Sequence, residues 1–217
     1  MGADGVSKPI RLQNDYITGA LPVAPSIFMS LYAADLINSI YNIEELSYLE
    51  LGIWYGNTFN KIKCKDKVSV DTQFPATFNC TTDEFFQHNN RRFDIVFIDA
   101  DHSYPSVCRD FNNSVFTVKK YIVVHDLVPP DKNHTKPDAC GDSYKLLHYI
   151  VQNVDYANYF TLNRPEDCGL TIFRRPFPLI PIDSNLKIEY DDFVVNTLPK
   201  VKFADFNTII ERLNHER

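Results

Sequence analysis

The run Phe93-Asp-Ile-Val-Phe-Ile-Asp-Ala-Asp-His-Ser-Tyr104 joins an apolar stretch to three titratable side chains, Asp99, Asp101 and His102. In an α/β sheet, ligands bind just beyond the carboxyl ends of the strands. Acids and a histidine placed there are hard to justify as packing. His102 follows Asp99 by three residues, so both side chains can face one pocket. An imidazole with an unperturbed pKa of about 6.5 can take a proton near neutral pH, which makes His102 the candidate general base. The run Tyr121-Ile-Val-Val-His-Asp126 repeats the pattern of an apolar strand with a titratable end. If the two strands are neighbours, Asp99, His125 and Asp126 converge. Two carboxylates and an imidazole are adequate ligands for a divalent cation. A hydrogen-bonded cluster without a metal is the equal alternative.

Three further constellations lie upstream. In Tyr48-Leu-Glu-Leu-Gly-Ile-Trp-Tyr-Gly-Asn-Thr58 a strand runs into a turn holding Gly52 and Gly56. Glycine at such a turn lets a ligand approach the backbone, and it serves a tight structural turn equally well. Asp71 ends the next strand, Val68-Ser-Val-Asp71. A carboxylate there can take both ribose hydroxyls of a nucleoside. Thr81-Thr-Asp-Glu84 reads first as a capping box between Thr81 and Glu84, with Asp83 also able to read an adenine amino group.

These residues need a scaffold that delivers strand ends to one edge. From residue 47 short apolar strands alternate with helices, the pattern of a parallel sheet with crossovers. The predicted strands are Ser47–Leu51, Val68–Asp71, Ala76–Asn79, Phe93–Asp99 and Tyr121–His125. Helices are predicted from Ser26 as a cap, with Ile27, Leu31, Ala34, Ile37 and Tyr41 inward, then briefly after Gly56. Others follow over Thr82–His88, Tyr104–Val118 and Ser143–Val154. Tyr159–Leu162 and Leu170–Phe173 suit an antiparallel hairpin closing the sheet. The result is an α/β fold, a mostly parallel sheet with a C-terminal antiparallel hairpin and helices on both faces. Residues 1–44 read as an N-terminal arm and helix. Residues 175–217 read as an extension packed on the same domain, ending in a helix at Phe203–Leu213.

Composition narrows the function classes. The chain has 217 residues, 44% hydrophobic and 23% charged, which suits one α/β domain with modest additions. A net charge of −6 disfavours an electrostatic grip on nucleic acid or an anionic membrane. No apolar run approaches the roughly 20 residues that span a bilayer. The first residues lack a basic start with an apolar segment behind it, so no secretory signal is expected. The five cysteines, Cys64, Cys80, Cys108, Cys140 and Cys168, are scattered, odd in number and without a CxxC pair. Reduced thiols in a cytoplasmic protein are the expectation.

The ordered set resembles the class I S-adenosylmethionine-dependent methyltransferases, with their Rossmann-like fold. It comprises Glu50-Leu-Gly with Gly56, Val70-Asp71, Thr82-Asp83, the Phe93–His102 run and Val-Val-His-Asp126. More narrowly it is similar to the subgroup of small-molecule and sugar O-methyltransferases. The likeness covers roughly residues 45–174, the methyltransferase domain it implies. It implies that Glu50, Gly52 and Gly56 flank the methionine part of the cofactor. Asp71 would hold ribose, Asp83 with Thr82 the adenine edge, and Asp99 the methionyl side. Asp99 followed three residues later by His102 matches the macrolide-sugar pattern of ligand and base. Trp54 stands where many members have a middle glycine, and His125 where metal-dependent members have an acid. The implied reaction is methyl transfer to a small polar acceptor, most simply a hydroxyl, with sugars or sugar-containing metabolites among the candidates. Nucleic acid and membranes are not expected partners, and a homodimer stays open. The rival readings are a nicotinamide-dependent oxidoreductase on a similar sheet and a nucleoside-binding module without catalysis. Against the former, the turn is not Gly-x-Gly-x-x-Gly.

Overall fold

A computed structural model describes residues 25–154, 158–164, 168–183 and 186–215. The arm expected before residue 25 lies outside them. Helix α1 spans Pro25–Asn38, followed by strands β1 (Ser47–Leu51) and β2 (Asp66–Val70). Helix α2 (Thr82–His88), strand β3 (Phe93–Ile98), helix α3 (Tyr104–Thr117) and strand β4 (Val118–Val124) continue the alternation. Helix α4 (Tyr144–Asn153) leads to strands β5 (Tyr159–Leu162) and β6 (Thr171–Arg174). Helix α5 (Tyr190–Asn196), strand β7 (Phe203–Ala204) and helix α6 (Phe206–Asn214) complete the chain.

The seven strands form one sheet in the order β2-β1-β3-β4-β6-β5-β7. The β2-β1-β3-β4 half is parallel. Strand β6 runs antiparallel to both β4 and β5, and β7 joins β5 in parallel. This is the expected Rossmann-like sheet with its antiparallel hairpin. From β1 the chain goes to one neighbour, β2, and then across to the other, β3. That reversal opens a crevice at the carboxyl ends, where ligands of such sheets bind.

Both faces are covered, which is why β3 is apolar without a break from Ile95 to Ile98, with Asp94 near its start bonded to the Ser47 hydroxyl. Val96 and Ile98 pack with Val107 and Phe111 of α3, Leu147 and Ile150 of α4 and Phe193 of α5. Ile95 and Phe97 face the other way, onto Ala33, Leu36 and Ile37 of α1 and Ile209 and Leu213 of α6. Asn214 ties that second layer together: its amide accepts from the Tyr41 N–H at 2.8 Å and donates to the Ser39 carbonyl at 3.1 Å.

Several boundaries differ from expectation. Helix α1 starts at Pro25, so Ser26 is inside it rather than its cap, and Tyr41 lies past its end, 53% exposed. The side chains of Ile27 and Leu31 lie outside the described residues. The strand expected at Ala76–Asn79 is reduced to a single parallel bridge, Phe78 with Val70. Ser69 and Thr77 explain the reduction, because each backbone N–H there bonds the other's hydroxyl instead of a ladder carbonyl. After Gly56 there is only a 3-10 turn, Phe59–Lys61. Ile62 and Cys64 are both buried, the two-residue period of extended chain. Val118 opens β4 instead of closing α3, and the final helix begins at Phe206, after β7.

Candidate active site

Strand register assembles the site. Leu51 pairs with Ile98, and Ile98 with Val124, so three neighbouring strands end level. The next residue of each is Gly52, Asp99 and His125. Backbone bonds carry the ladder one step further, from Asp99 N–H to the Leu51 carbonyl at 2.8 Å and from His125 N–H to the Ile98 carbonyl at 3.1 Å. Gly52 has φ +81, and a Cβ there would lie 2.3 Å from the Asp99 carbonyl oxygen. Its missing side chain therefore admits the β3 backbone, so the close approach it permits is made by protein.

Beyond the strand ends four titratable groups meet. His102 Nε2 lies 3.2 Å from Asp126 Oδ2 and 3.6 Å from Asp99 Oδ1. His125 Nδ1 lies 3.2 Å from Asp99 Oδ1 and 3.3 Å from Asp126 Oδ1. The convergence expected of Asp99, His102, His125 and Asp126 is thus present, with His125 and Asp126 buried and Asp99 and His102 partly open. One donor atom from each of Asp99, His125 and Asp126 falls within 4.8 Å of the others, a span one cation can bridge.

The electrostatics follow from this packing. Burial would lower His102, but the Asp99 hydrogen bond and the Asp126 charge outweigh it and lift its pKa to about 9. The ring's other nitrogen, Nδ1, bonds the Ala139 carbonyl and so carries a hydrogen. A neutral ring would then aim the Nε2 lone pair at two carboxylates, and a proton there removes the repulsion. His125 is also raised well above its ordinary value, burial opposing and the Asp126 and Asp99 charges prevailing. Asp99 shows the reciprocal effect. Burial works to raise it, yet the His125 charge and both imidazole bonds hold it down at about 2.

The segment between β4 and α4 holds His102 in place. Gly141 has φ +56, and a Cβ there would meet the His102 carbonyl oxygen at 2.4 Å. The Asp142 N–H donates to that same oxygen at 3.1 Å. Asp142 Oδ1 in turn accepts from the Tyr104 N–H, which opens the first turn of α3. Asp101 turns aside to the Ser103 N–H at 2.9 Å.

The glycine-turn side is arranged differently. Asp71 Oδ2 accepts from the Ile53 and Trp54 N–H groups at 2.9 and 3.2 Å. Its Oδ1 accepts from Gln73 and Phe74 at 2.7 and 3.0 Å. A carboxylate offers about four lone-pair sites, and all four are occupied. Burial pushes Asp71 up, but these backbone bonds more than offset it and its pKa falls. Trp54 holds φ +47, a left-handed conformation rare for a bulky residue, with its ring stacked on Phe74 at 6.4 Å. Glu50 is 1% exposed and bonded by the Tyr48 hydroxyl, and burial lifts its pKa to about 8. Asp83 pairs with Arg109 at 3.3 Å, and the Thr81–Glu84 capping box forms as expected. Thr82 hydrogen-bonds the buried Asp110, whose pKa burial pushes up to about 7. A pocket of about 370 Å³ opens between Trp54, Tyr55, Gly56, Phe59 and the Phe74–Thr77 segment. None of Asp71, Asp83, Asp99 or His102 lines it.

Sequence reasoning missed Cys140 and Cys168. Both are buried beside Asp126, and a hydrogen bond with Cys168, together with burial, pushes the Cys140 thiol far up. They come from different connections, and no local spacing announces the pair. All five cysteines are free. No helix among the described residues is long and apolar enough to cross a membrane.

Fold and site together define a doubly wound α/β protein with a titratable cluster at its switch-point crevice. No protein-family model matches the chain, and no curated protein matches it. Solved structures similar to it include an O-methyltransferase from Bacillus cereus in complex with SAH. That likeness has 15% identity over 72% of this chain and 83% of the other, with a TM-score of 0.45. The O-methyltransferase TomG from Streptomyces achromogenes, in complex with SAM, gives 14% identity over 71% and 81%, TM-score 0.44. A SAM-dependent methyltransferase from Thermotoga maritima, described as a possible histamine N-methyltransferase, gives 13% identity over 69% and 88%, TM-score 0.43.

Proposed function

We propose that the chain is an S-adenosylmethionine-dependent methyltransferase acting on a small polar acceptor, with a hydroxyl as the nucleophile. The observation that carries this reading is the convergence of Asp99, His102, His125 and Asp126 beside the β1/β3 crevice. An acceptor oxygen that attacks a methyl group sheds a proton. His102 accepts it at Nε2 when its ring is neutral, a form that gains ground only as pH approaches its raised pKa of about 9, and Asp99 and Asp126 stabilise the imidazolium formed. The Ala139 carbonyl fixes which nitrogen faces the acceptor. The sugar or sugar-containing acceptor expected from the resemblance belongs to this reading.

The cofactor supplies the activated methyl group. Asp99 at the crevice floor and the Gly52–Gly56 turn fit its methionine end, and Thr82 and Asp83 lie on the next helix for the adenine edge. Asp71 fits ribose only by exchanging backbone bonds for hydroxyl bonds, since its four acceptor positions are filled. Asp99, His125 and Asp126 fit a divalent cation, which would orient the acceptor hydroxyl. Their imidazole favours Mn²⁺ or Zn²⁺ over Mg²⁺.

Calorimetric titration of the chain with S-adenosylmethionine, S-adenosylhomocysteine and NAD tests the cofactor. Binding of both sulfur nucleosides and not of NAD is expected. Binding of neither sulfur nucleoside ends the assignment. An acceptor screen that detects S-adenosylhomocysteine release then separates an enzyme from a binding module.

A further inference from the structure

We propose that Cys140, Cys168 and Asp126 form a site for a thiophilic divalent cation, Zn²⁺ above others. The site pins the β4–α4 connection and the β5–β6 turn to the end of β4. One carboxylate oxygen and both Sγ atoms lie within 4.8 Å of one another. Zn–S bonds of about 2.3 Å place two tetrahedral sulfurs about 3.8 Å apart, inside that span. The three residues are 5% exposed or less. Two buried thiols alone read as small apolar packing. A buried carboxylate turned onto the same point makes them a donor set.

The backbone is built to hold these three side chains together. The Ser143 hydroxyl reaches the Asp126 carbonyl at 2.6 Å and the Cys140 carbonyl at 2.8 Å. The Val128 N–H donates to the Cys168 carbonyl at 2.8 Å. Asp126 and Cys168 hold φ +62 and +49, conformations that non-glycine residues keep only where the surroundings enforce them. Gly169 has φ +88, and a Cβ there would strike Val128, so this turn lies directly against the start of the β4–α4 connection.

Ligand chemistry separates this site from the oxygen- and nitrogen-rich set of Asp99, His125 and Asp126, with which it shares only Asp126. Thiolate ligands select Zn²⁺ over Mg²⁺. On binding, two S–H bonds give way to two metal–sulfur bonds, and both protons leave to solvent. The three side chains fill three of four tetrahedral positions. The site also reaches His102 indirectly, because Cys140 lies between Ala139 and Gly141, which both touch it.

The test uses the full chain, reduced with a phosphine and freed of metal by chelation, titrated with Co²⁺ and then Zn²⁺. One equivalent of Co²⁺ should give thiolate-to-cobalt charge-transfer absorption, which Zn²⁺ bleaches. Cys140→Ser and Cys168→Ser should each weaken or abolish the band, and Cys80→Ser should keep it. Circular dichroism on every variant shows which are folded, and the parent chain decides the matter if either serine variant is not. Cobalt d–d bands without charge transfer in the folded parent would place the ion at Asp99, His125 and Asp126, and so overturn the proposal. A Cys140–Cys168 disulfide in place of metal uptake, seen as a mass two hydrogens lower before reduction, would overturn it equally. The readout is independent of methyl transfer, so failure here leaves the proposed activity standing, and the converse also holds.

Discussion

Asp71 and Asp99 occupy equivalent places, each the first residue past a parallel strand in the same half of the sheet, yet they are satisfied in opposite ways. Asp71 is met by four backbone N–H groups from two loops. Asp99 is met by two imidazoles, which can change charge or turn aside. A carboxylate bonded by backbone is part of the architecture. One bonded by titratable side chains can exchange them for a substrate, a proton or an ion. Topology alone places both acids at strand ends and does not distinguish them.

The sharpest way to break this comparison is at His102. His102→Ala should lower turnover by roughly 10²–10⁴-fold with cofactor affinity nearly unchanged. Steady-state kinetics beside calorimetry measures both. A parallel loss of melting temperature, binding and turnover would make His102 a structural residue like Asp71. On the other side, Asp71→Ala removes charge-assisted bonds from two loops at once. It should cost about 1.5–3 kcal/mol in cofactor affinity and lower the melting temperature even without cofactor. A pure ribose receptor would leave the melting temperature of the free protein unchanged.

The smallest effect sharpens the contrast through a third acid. Asp110 is 2% exposed, and burial raises its pKa to about 7, with the Thr82 hydrogen bond pulling the other way. An unfolded aspartate loses its proton near about 3.9. Across the interval from there to about 7, the unfolded chain releases a proton that the folded chain keeps. Stability therefore falls as pH rises through that interval and levels off above it. Asp110→Asn cannot ionise, so it should flatten this slope and stabilise the fold at pH 8 by about 1–3 kcal/mol. Urea denaturation at pH 5 and pH 8 checks the sign.

Much of the scaffold was legible in the residues. The apolar run Ile95–Ile98 is what a strand covered on both faces requires, and level strand ends follow from parallel pairing. The cluster of Asp99, His102, His125 and Asp126 could therefore be anticipated. The filled state of Asp71 could not, because it depends on left-handed Trp54 and on the 72–74 turn, which no periodicity encodes. Strand Ala76–Asn79 failed because the Ser69 and Thr77 hydroxyls compete locally for ladder bonds. Helix α5 went unseen behind its proline-rich approach, with only Tyr190 and Phe193 buried along it. The approach of Cys140 to Cys168 is a purely tertiary event, set by where two connections cross.

The Asn214 bridge to Ser39 and Tyr41 has a consequence for biosynthesis. The β3 and β4 residues beneath it, Ile95, Phe97 and Val123, are synthesised long before α6. At about 5–20 residues per second, that flank of the nascent chain stays uncovered by α6 for on the order of ten seconds. Throughout that interval it exposes apolar surface of the kind chaperones hold, and the last layer closes only after residue 214 has left the ribosome.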